Sequence, residues 1–387
     1  MIKKVIIPLI FAIAIASTPF SSAAPKSVTS VEISKVATVI DHEGAVITNQ
    51  GITLYSNEEK RVLVTSLDFT GTEKWELVLE DGEDQIAMAA TSDRDGNIWL
   101  AGLISATSET VSAPTSAVNV DGVILESVTP IRADLNTLTL WKISPAGALT
   151  ATFTDSATAP SLITAISHSA TGLWILGERG SGSILVNATL NGKFSKAKSI
   201  GTAKSSLTSI FRNSDGSAQI YGSSAESLGG KALVGRRDGI LVKVNKSGSI
   251  TNVVRSSANG ATRNWLSATS TYFLTGEVKT GGKSESAFTK FNSSFSPVWT
   301  MRLPSQTSIA AATGPNGSHF ALFNSTSAIP RVTGWKPTAP TSLVLRFDAK
   351  GVITQALRAS QVKSVRAMAH INGVGLVIVS ASGIFKG

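Results

Sequence analysis

Residues 95–102 read DGNIWLAG: a turn pair, an apolar run and a closing glycine. Residues 172–177 (GLWILG), 215–222 (DGSAQIYG) and 272–276 (YFLTG) are variants of the same phrase. A second phrase alternates with it: LVTSLDFTGTEKWELVL at 63–79, LTLWKISPAGALTATF at 138–153, ILVKVNKSGSITNVV at 240–254 and LVLRFDAKGVITQAL at 343–357. Self-similarity at a period near 50 residues means that one supersecondary unit is stacked many times. Each unit reads as two hairpins, because short Val/Ile/Leu/Thr runs are broken by Asp, Asn, Ser and Gly, the residues that tolerate a tight reversal.

Inner hairpins fall near 35–50, 85–102, 161–177, 206–222, 263–276, 306–323 and 364–380. Outer hairpins fall near 60–79, 137–154, 183–199, 239–255, 286–303 and 342–358. The outer turns carry Gly71, Gly147, Gly192, Gly248 and Gly351, with Phe295 in the same position of the fifth unit. Trp75 and Trp299 follow Gly71 and Phe295 by four residues, which supports that alignment. The seventh inner hairpin is followed only by SGIFKG, while SVTSVEIS at 27–34 is an extended segment without a partner. The economical arrangement has this N-terminal strand join the last unit and close a ring, so that no sheet edge is left open.

The inner hairpin D-x-x-G-N-I-W-L-A-G, at Asp93, Gly96, Asn97, Ile98, Trp99, Leu100, Ala101 and Gly102, resembles the SBBP-type repeats of secreted bacterial proteins. The resemblance implies an all-β, seven-bladed β-propeller, one domain over residues 24–387. Ser92, Gly96 and Trp99 also resemble the Asp-box of sialidase-like propellers, with Arg94 and Ile98 standing where that pattern has Asp and Thr. Repeats of this kind speak to fold more than to function.

The first residues read as a secretory signal peptide: Lys3 and Lys4, an apolar run from Val5 to Ala16, then Ser21, Ser22, Ala23 and Ala24, with cleavage expected after Ala23. That apolar run is too short for a membrane span, which needs about 20 residues, and no second segment approaches that length. The chain has no cysteine, so neither a cysteine-linked lipid anchor nor a disulfide is available. The expected product is a soluble monomer that is secreted or held in the cell envelope.

Catalytic chemistry has little local signature. His42, His168, His319 and His370 lie in or near turns and are expected at the surface; none has metal-ligand spacing to another ligand. Asp93, Asp95 and Gly96 resemble a piece of a calcium loop, but an Asp/Gly hairpin turn accounts for them. No cofactor and no metal site are expected. Glu178, Glu226, Glu277 and Glu285 could face one mouth of a ring, which keeps a carbohydrate-active hydrolase or lyase as the alternative to a binding protein.

Charge is the sharper signal. Residues 24–160 hold 19 acidic and 8 basic residues, a net of −11, and residues 161–387 hold 7 acidic and 25 basic, a net of +18. Such a split points to an anionic envelope polymer or an acidic protein as partner; an exported chain without a nucleic-acid motif gives no reason to expect nucleic acid. Four connections between inner and outer hairpins exceed turn length: 103–136, 223–238, 277–285 and 325–341. Antiparallel alternation puts them on one face, where binding commonly resides. Lys231, Arg236, Arg237, Lys279, Lys283, Arg331 and Lys336 fall on or beside these connections and are the candidate ligand-binding residues. The tryptophans mostly occupy strand positions and read as blade packing; Trp335, in RVTGWKPTAP, is the exception, and exposed beside Arg331 and Lys336 it could stack on a sugar or another ring.

Overall fold

The computed structural model describes residues 27–39, 41–80, 84–105, 134–180 and 182–387. The leader at 1–23 and most of the 103–136 connection lie outside the described residues. The repeated turns explain the strand pairing. The Asp68 carboxylate accepts the backbone N–H of Thr70 at 2.7 Å and of Thr72 at 3.0 Å. Asp93, Asn245, Asn292 and Asp348 do the same for the residues two and four positions on. These short side chains satisfy the turn backbone, and the fourth residue then takes positive φ. It is glycine at φ +87° in Gly71, +85° in Gly147 and +83° in Gly351, and Phe295 at +64° in the equivalent turn.

Between the turns run antiparallel strands in radial sheets. Five sheets have four strands each: Gly44–Thr48 to Glu73–Leu79, Gln85–Ser92 to Leu149–Asp155, Leu162–Ser169 to Lys198–Thr202, Ser205–Arg212 to Ile250–Ser256, and Val365–Ile371 to Gly383–Lys386 with Ser34–Ala37. Core clusters lie between sheets rather than within them. Trp174, Leu176 and Leu185 pack on Leu207, Ile220, Ile240 and Val242 of the next sheet. Val377, Val379 and Ile384 of the last sheet pack on Ile52, Leu54 and Leu67 of the first, which joins the two ends of the chain. The fold is an all-β propeller.

The expected seven separate blades are corrected by the sheet topology, which has five four-stranded blades. Where the sequence suggests a fifth and a sixth blade, one nine-stranded sheet is formed. Its hinge is Pro297–Thr313, a single 17-residue strand. Residues 297–304 pair with Lys283–Phe291 and residues 305–313 with His319–Ser325. The physical reason is in the chain: no Gly, Asp or Asn turn interrupts residues 297–313, and Pro304 at the junction has a fixed φ that suits extended backbone.

Ring closure also differs in detail. Val28–Glu32, within the segment expected to close the last unit, instead runs parallel to Ile353–Arg358 and to Val332–Thr333. The following Ser34–Ala37 is the strand that pairs antiparallel with Gly383–Lys386. That C-terminal segment, read above as a remnant, is itself a strand bonded on both sides. The first inner hairpin accordingly begins at Gly44 and not at residue 35.

One regular feature has no counterpart in the sequence reading. Inner strands carry a register shift at an equivalent place: Ala87/Ala89, Ile163/Ala165, Leu207/Ser209, Trp265/Ser267, Ser308/Ala310 and Val365/Ala367. Bulges of this kind sharpen the local twist, which lets inner strands crowd around an axis while the outer strands splay.

Candidate binding face and inter-blade pocket

Short turns gather on one face of the ring, and the longer connections with the inter-sheet links on the other. On the short-turn face, cations are part of the scaffold. Arg212 lies over Trp174 at 5.2 Å and donates to Asn187 Oδ1 at 2.8 Å and Ser169 Oγ at 3.0 Å. Lys243 lies over Phe295 at 4.5 Å, Lys290 over Tyr272 at 5.5 Å and Arg346 over Phe320 at 5.5 Å. These half-buried cations belong to the positive half of the sequence, yet they hold rings and turn carbonyls and are not free to meet a partner.

On the opposite face the candidate residues separate. Arg236, Lys279 and Lys283 line one groove of about 450 Å³, together with Thr262, the Gly281–Gly282 turn and Ser284. All three cations are exposed, and Lys279 also pairs with Glu277 at 3.2 Å. Lys231 is exposed at the base of a tight Gly229–Gly230 turn, closed by its mutual backbone hydrogen bonds with Leu228. Arg237 is half-buried and donates to Ser223 Oγ at 3.1 Å. Arg331 lines a different cleft of about 300 Å³ with Met301, Leu303 and Ile353, and Lys336 is exposed away from the groove residues.

Two expectations at this face are corrected. Residues 277–285 are not a long connection but a tight hairpin between Phe273–Thr280 and Lys283–Phe291, turning on Gly281 at φ +56° and Gly282 at +77°. Trp335 is not exposed: it is 5 % accessible, packs with Ile329 and Val332, and donates its indole N–H to Ser325 Oγ at 3.1 Å.

The basic groove is held from below by Asp238. This carboxylate is fully buried, accepts the N–H groups of Val234 and Gly235 at 3.0 and 2.9 Å, and pairs with Arg255 at 3.2 Å. Arg236 is anchored through its own N–H to the Ala261 carbonyl at 2.8 Å. The loop therefore presents Arg236 from a fixed backbone, while Lys279 and Lys283 stand on the adjoining Gly281–Gly282 hairpin.

Of the carboxylates proposed for a catalytic mouth, Glu178 is exposed and the other three are engaged separately. Glu226 accepts from Thr202 N at 2.8 Å and Ser205 Oγ at 2.6 Å. Burial alone would raise its pKa, but these hydrogen bonds outweigh it and the net shift is downward. Glu277 meets Lys279, and Glu285 approaches Arg302 at 3.7 Å. The carboxylate oxygens of Asp93 take Asn97 Nδ2 at 2.8 Å and Trp99 Nε1 at 3.1 Å in addition to the turn backbone, so the D-x-D-G element serves the turn.

The histidines also depart from expectation. His319 is 1 % accessible and stacks on Phe273 at 4.7 Å, with neither ring nitrogen hydrogen-bonded among the described residues. Burial, with the Lys290 ammonium adding to it, pushes its pKa down to about 4. His42 is 2 % accessible. His168 and His370 stack on Trp99 and Phe320.

Sequence reasoning missed a second concave site. Between Ile250–Ser256 and the sheet face formed by Thr262–Ala268 and its neighbours lies a pocket of about 250 Å³ lined by Arg255, Arg263, Trp265, Phe291, Phe295 and Arg302, among others. The residues come from five strands, so no local spacing could have joined them.

No family model matches this chain, and no curated protein matches it. Among solved structures, the Dos1 propeller is similar at 10% identity over 91% of this chain and 94% of that one, with a TM-score of 0.46. BBS1N in complex with ARL6DN gives 10% identity over 93% and 96%, TM-score 0.45. An uncharacterized protein from Listeria monocytogenes EGD-e gives 9% over 92% and 91%, TM-score 0.44.

Proposed function

We propose that this chain is a secreted, non-catalytic binding or scaffolding propeller that recognises an anionic envelope polymer or an acidic protein through the face carrying the longer connections. The observation that carries the reading is the groove in which Arg236, on a backbone held by Asp238 and Ala261, meets Lys279 and Lys283 of the Gly281–Gly282 hairpin. A rigid scaffold with a cationic groove favours an extended anionic partner, because the cost of ordering the site is already met. The leader-like residues 1–23 support export, the hairpin at Asp93–Gly102 supports an affinity with SBBP-type repeats, and the net +18 of residues 161–387 supports attraction of anions at a distance. Action as a monomer belongs to the same reading.

The experiment is a pull-down of the purified mature chain against cell-envelope fractions and purified polysaccharides, at low and at high salt. Retention that falls with salt is expected, and an Arg236→Ala/Lys279→Ala/Lys283→Ala variant should lose most of it. Retention unchanged by the triple substitution would remove the groove from the account.

A further inference from the structure

The two units that share the nine-stranded sheet leave a cleft of about 300 Å³ between them. It is lined by Met301 and Leu303 of Pro297–Thr313, by Val352 and Ile353 from the outer hairpin of the next unit, and by Ile329 and Pro330 of the loop that follows Ser325. Leu303 and Ile329 are buried, Met301 and Ile353 are half-buried and Val352 is exposed. The cleft thus offers a concave aliphatic surface that still meets water, and covering it would be favourable.

Among the described residues the sole polar side chain in the lining is Arg331. Its backbone sits at φ +69°, third in a turn closed by the Val332 N–H on the Ile329 carbonyl at 3.1 Å. With Pro330 second, that third position favours glycine or asparagine, so a long side chain is held there against the preference of the backbone. The turn is fixed from outside: the Arg331 carbonyl accepts the Val28 N–H at 2.8 Å, and Val332 and Thr333 pair with Val28 and Thr29. The guanidinium itself has no hydrogen bond, ion pair or ring contact among the described residues. Arg212, Lys243, Lys290 and Arg346, by contrast, each lie over a ring. Asp348, whose turn leads into Val352, spends its Oδ1 on the Lys350 and Val352 N–H groups.

We propose that this cleft binds a single-chain aliphatic carboxylate. The chain lies against Met301, Leu303, Ile329 and Ile353, and the carboxylate accepts from the Arg331 guanidinium, whose planar fork suits it. One arginine without a second cation in the lining matches one negative charge, whereas a phosphate monoester carries about −1.5 to −2. Walls without donors would leave the hydroxyls of a sugar unpaired, and the flexible Met301 adapts to an unbranched chain. The volume of about 300 Å³ stands at the lower end of the range of about 300–1,000 Å³ typical of ligand sites, which suits a chain of medium length and excludes a polymer. The cleft shares no residue with the basic groove and stands or falls independently of it.

The test is calorimetry and ligand-observed NMR on the mature chain with octanoate and decanoate below micelle-forming concentrations, alongside octanol and phosphatidylglycerol vesicles. Octanoate should bind saturably, and decanoate about tenfold more tightly, because its two added methylenes bury more apolar surface. Octanol should bind at least fivefold more weakly than octanoate. Arg331→Gly should bring octanoate down to the octanol level, leave octanol itself unchanged and not lower the melting temperature, since glycine takes positive φ freely. An arginine that merely held the turn would move the melting temperature and both ligands together. Arg236→Ala should leave binding unchanged. Should Arg331→Gly not fold, Arg331→Asn, which also tolerates that backbone, together with the acid-against-alcohol comparison on the wild-type chain, decides the matter. Absence of saturable binding by both acids, equal affinity for octanoate and octanol, or binding to the vesicles alone would overturn the proposal, as would octanoate affinity unaltered by Arg331→Gly.

Discussion

Gly147 and Gly351 each sit under a tryptophan of the neighbouring unit. A Cβ at Gly147 would lie 2.6 Å from the Trp75 ring, and one at Gly351 would lie 2.7 Å from Trp299. Each ring is fixed by a hydrogen bond from its own indole N–H to the same turn, at Pro145 and Ala349. Gly147→Ala therefore combines positive φ with overpacking and should cost about 1–3 kcal/mol in urea denaturation. These turn glycines were legible because turn chemistry is local. The surroundings of His319 were not: a histidine at the start of a strand reads as a turn residue, and only the Phe273 ring stacked on it reveals a buried ring. Its folded pKa of about 4 lies below the ordinary value near 6.5. The unfolded chain thus binds the proton first, and stability is complete above pH 6.5 and falls as pH drops towards 4. His319→Phe should flatten that segment of the stability curve between pH 6.5 and 4.5, by up to about 3 kcal/mol; an unchanged acid slope would refute it.

At the level of elements, hairpins with a glycine or an Asp/Asn turn were readable from periodicity. Elements whose pairing depends on distant chain were not. The continuous strand Pro297–Thr313 serves two hairpins, and its unity follows from the absence of a Gly, Asp or Asn turn around Pro304, a weaker signal than the presence of one. Val28–Glu32 has no turn to direct it and pairs in parallel with residues more than 300 positions away. The loop 225–237 owes its shape to the buried Asp238–Arg255 pair, whose side chains are 0 % and 6 % accessible. Removing one member of such a pair strands the other, so Asp238→Ala should cost about 3–5 kcal/mol. It should also release the backbone N–H groups of Val234 and Gly235, seen as faster amide exchange confined to that loop. Protection unchanged at both amides would remove Asp238 as the anchor of the basic loop.

Across the whole molecule, the charge split survives in part. The net of +18 includes Arg212, Lys243, Lys290 and Arg346, which are half-buried over rings on the short-turn face. The sequence could count cations but could not separate those that brace the scaffold from those that face solvent. Eight residues nominated for one patch divide into a groove of three, an anchored Arg237, a buried Trp335 and three outlying positions. If the groove is what recognises a polyanion, the decisive measurement is the affinity of the mature chain for a defined anionic polysaccharide, polygalacturonate, as a function of salt. Affinity should fall steadily as salt rises, with the Arg236→Ala/Lys279→Ala/Lys283→Ala variant at least tenfold weaker at low salt and less salt-dependent. Binding that is insensitive to salt, or a triple variant that binds as tightly as wild type, would contradict it.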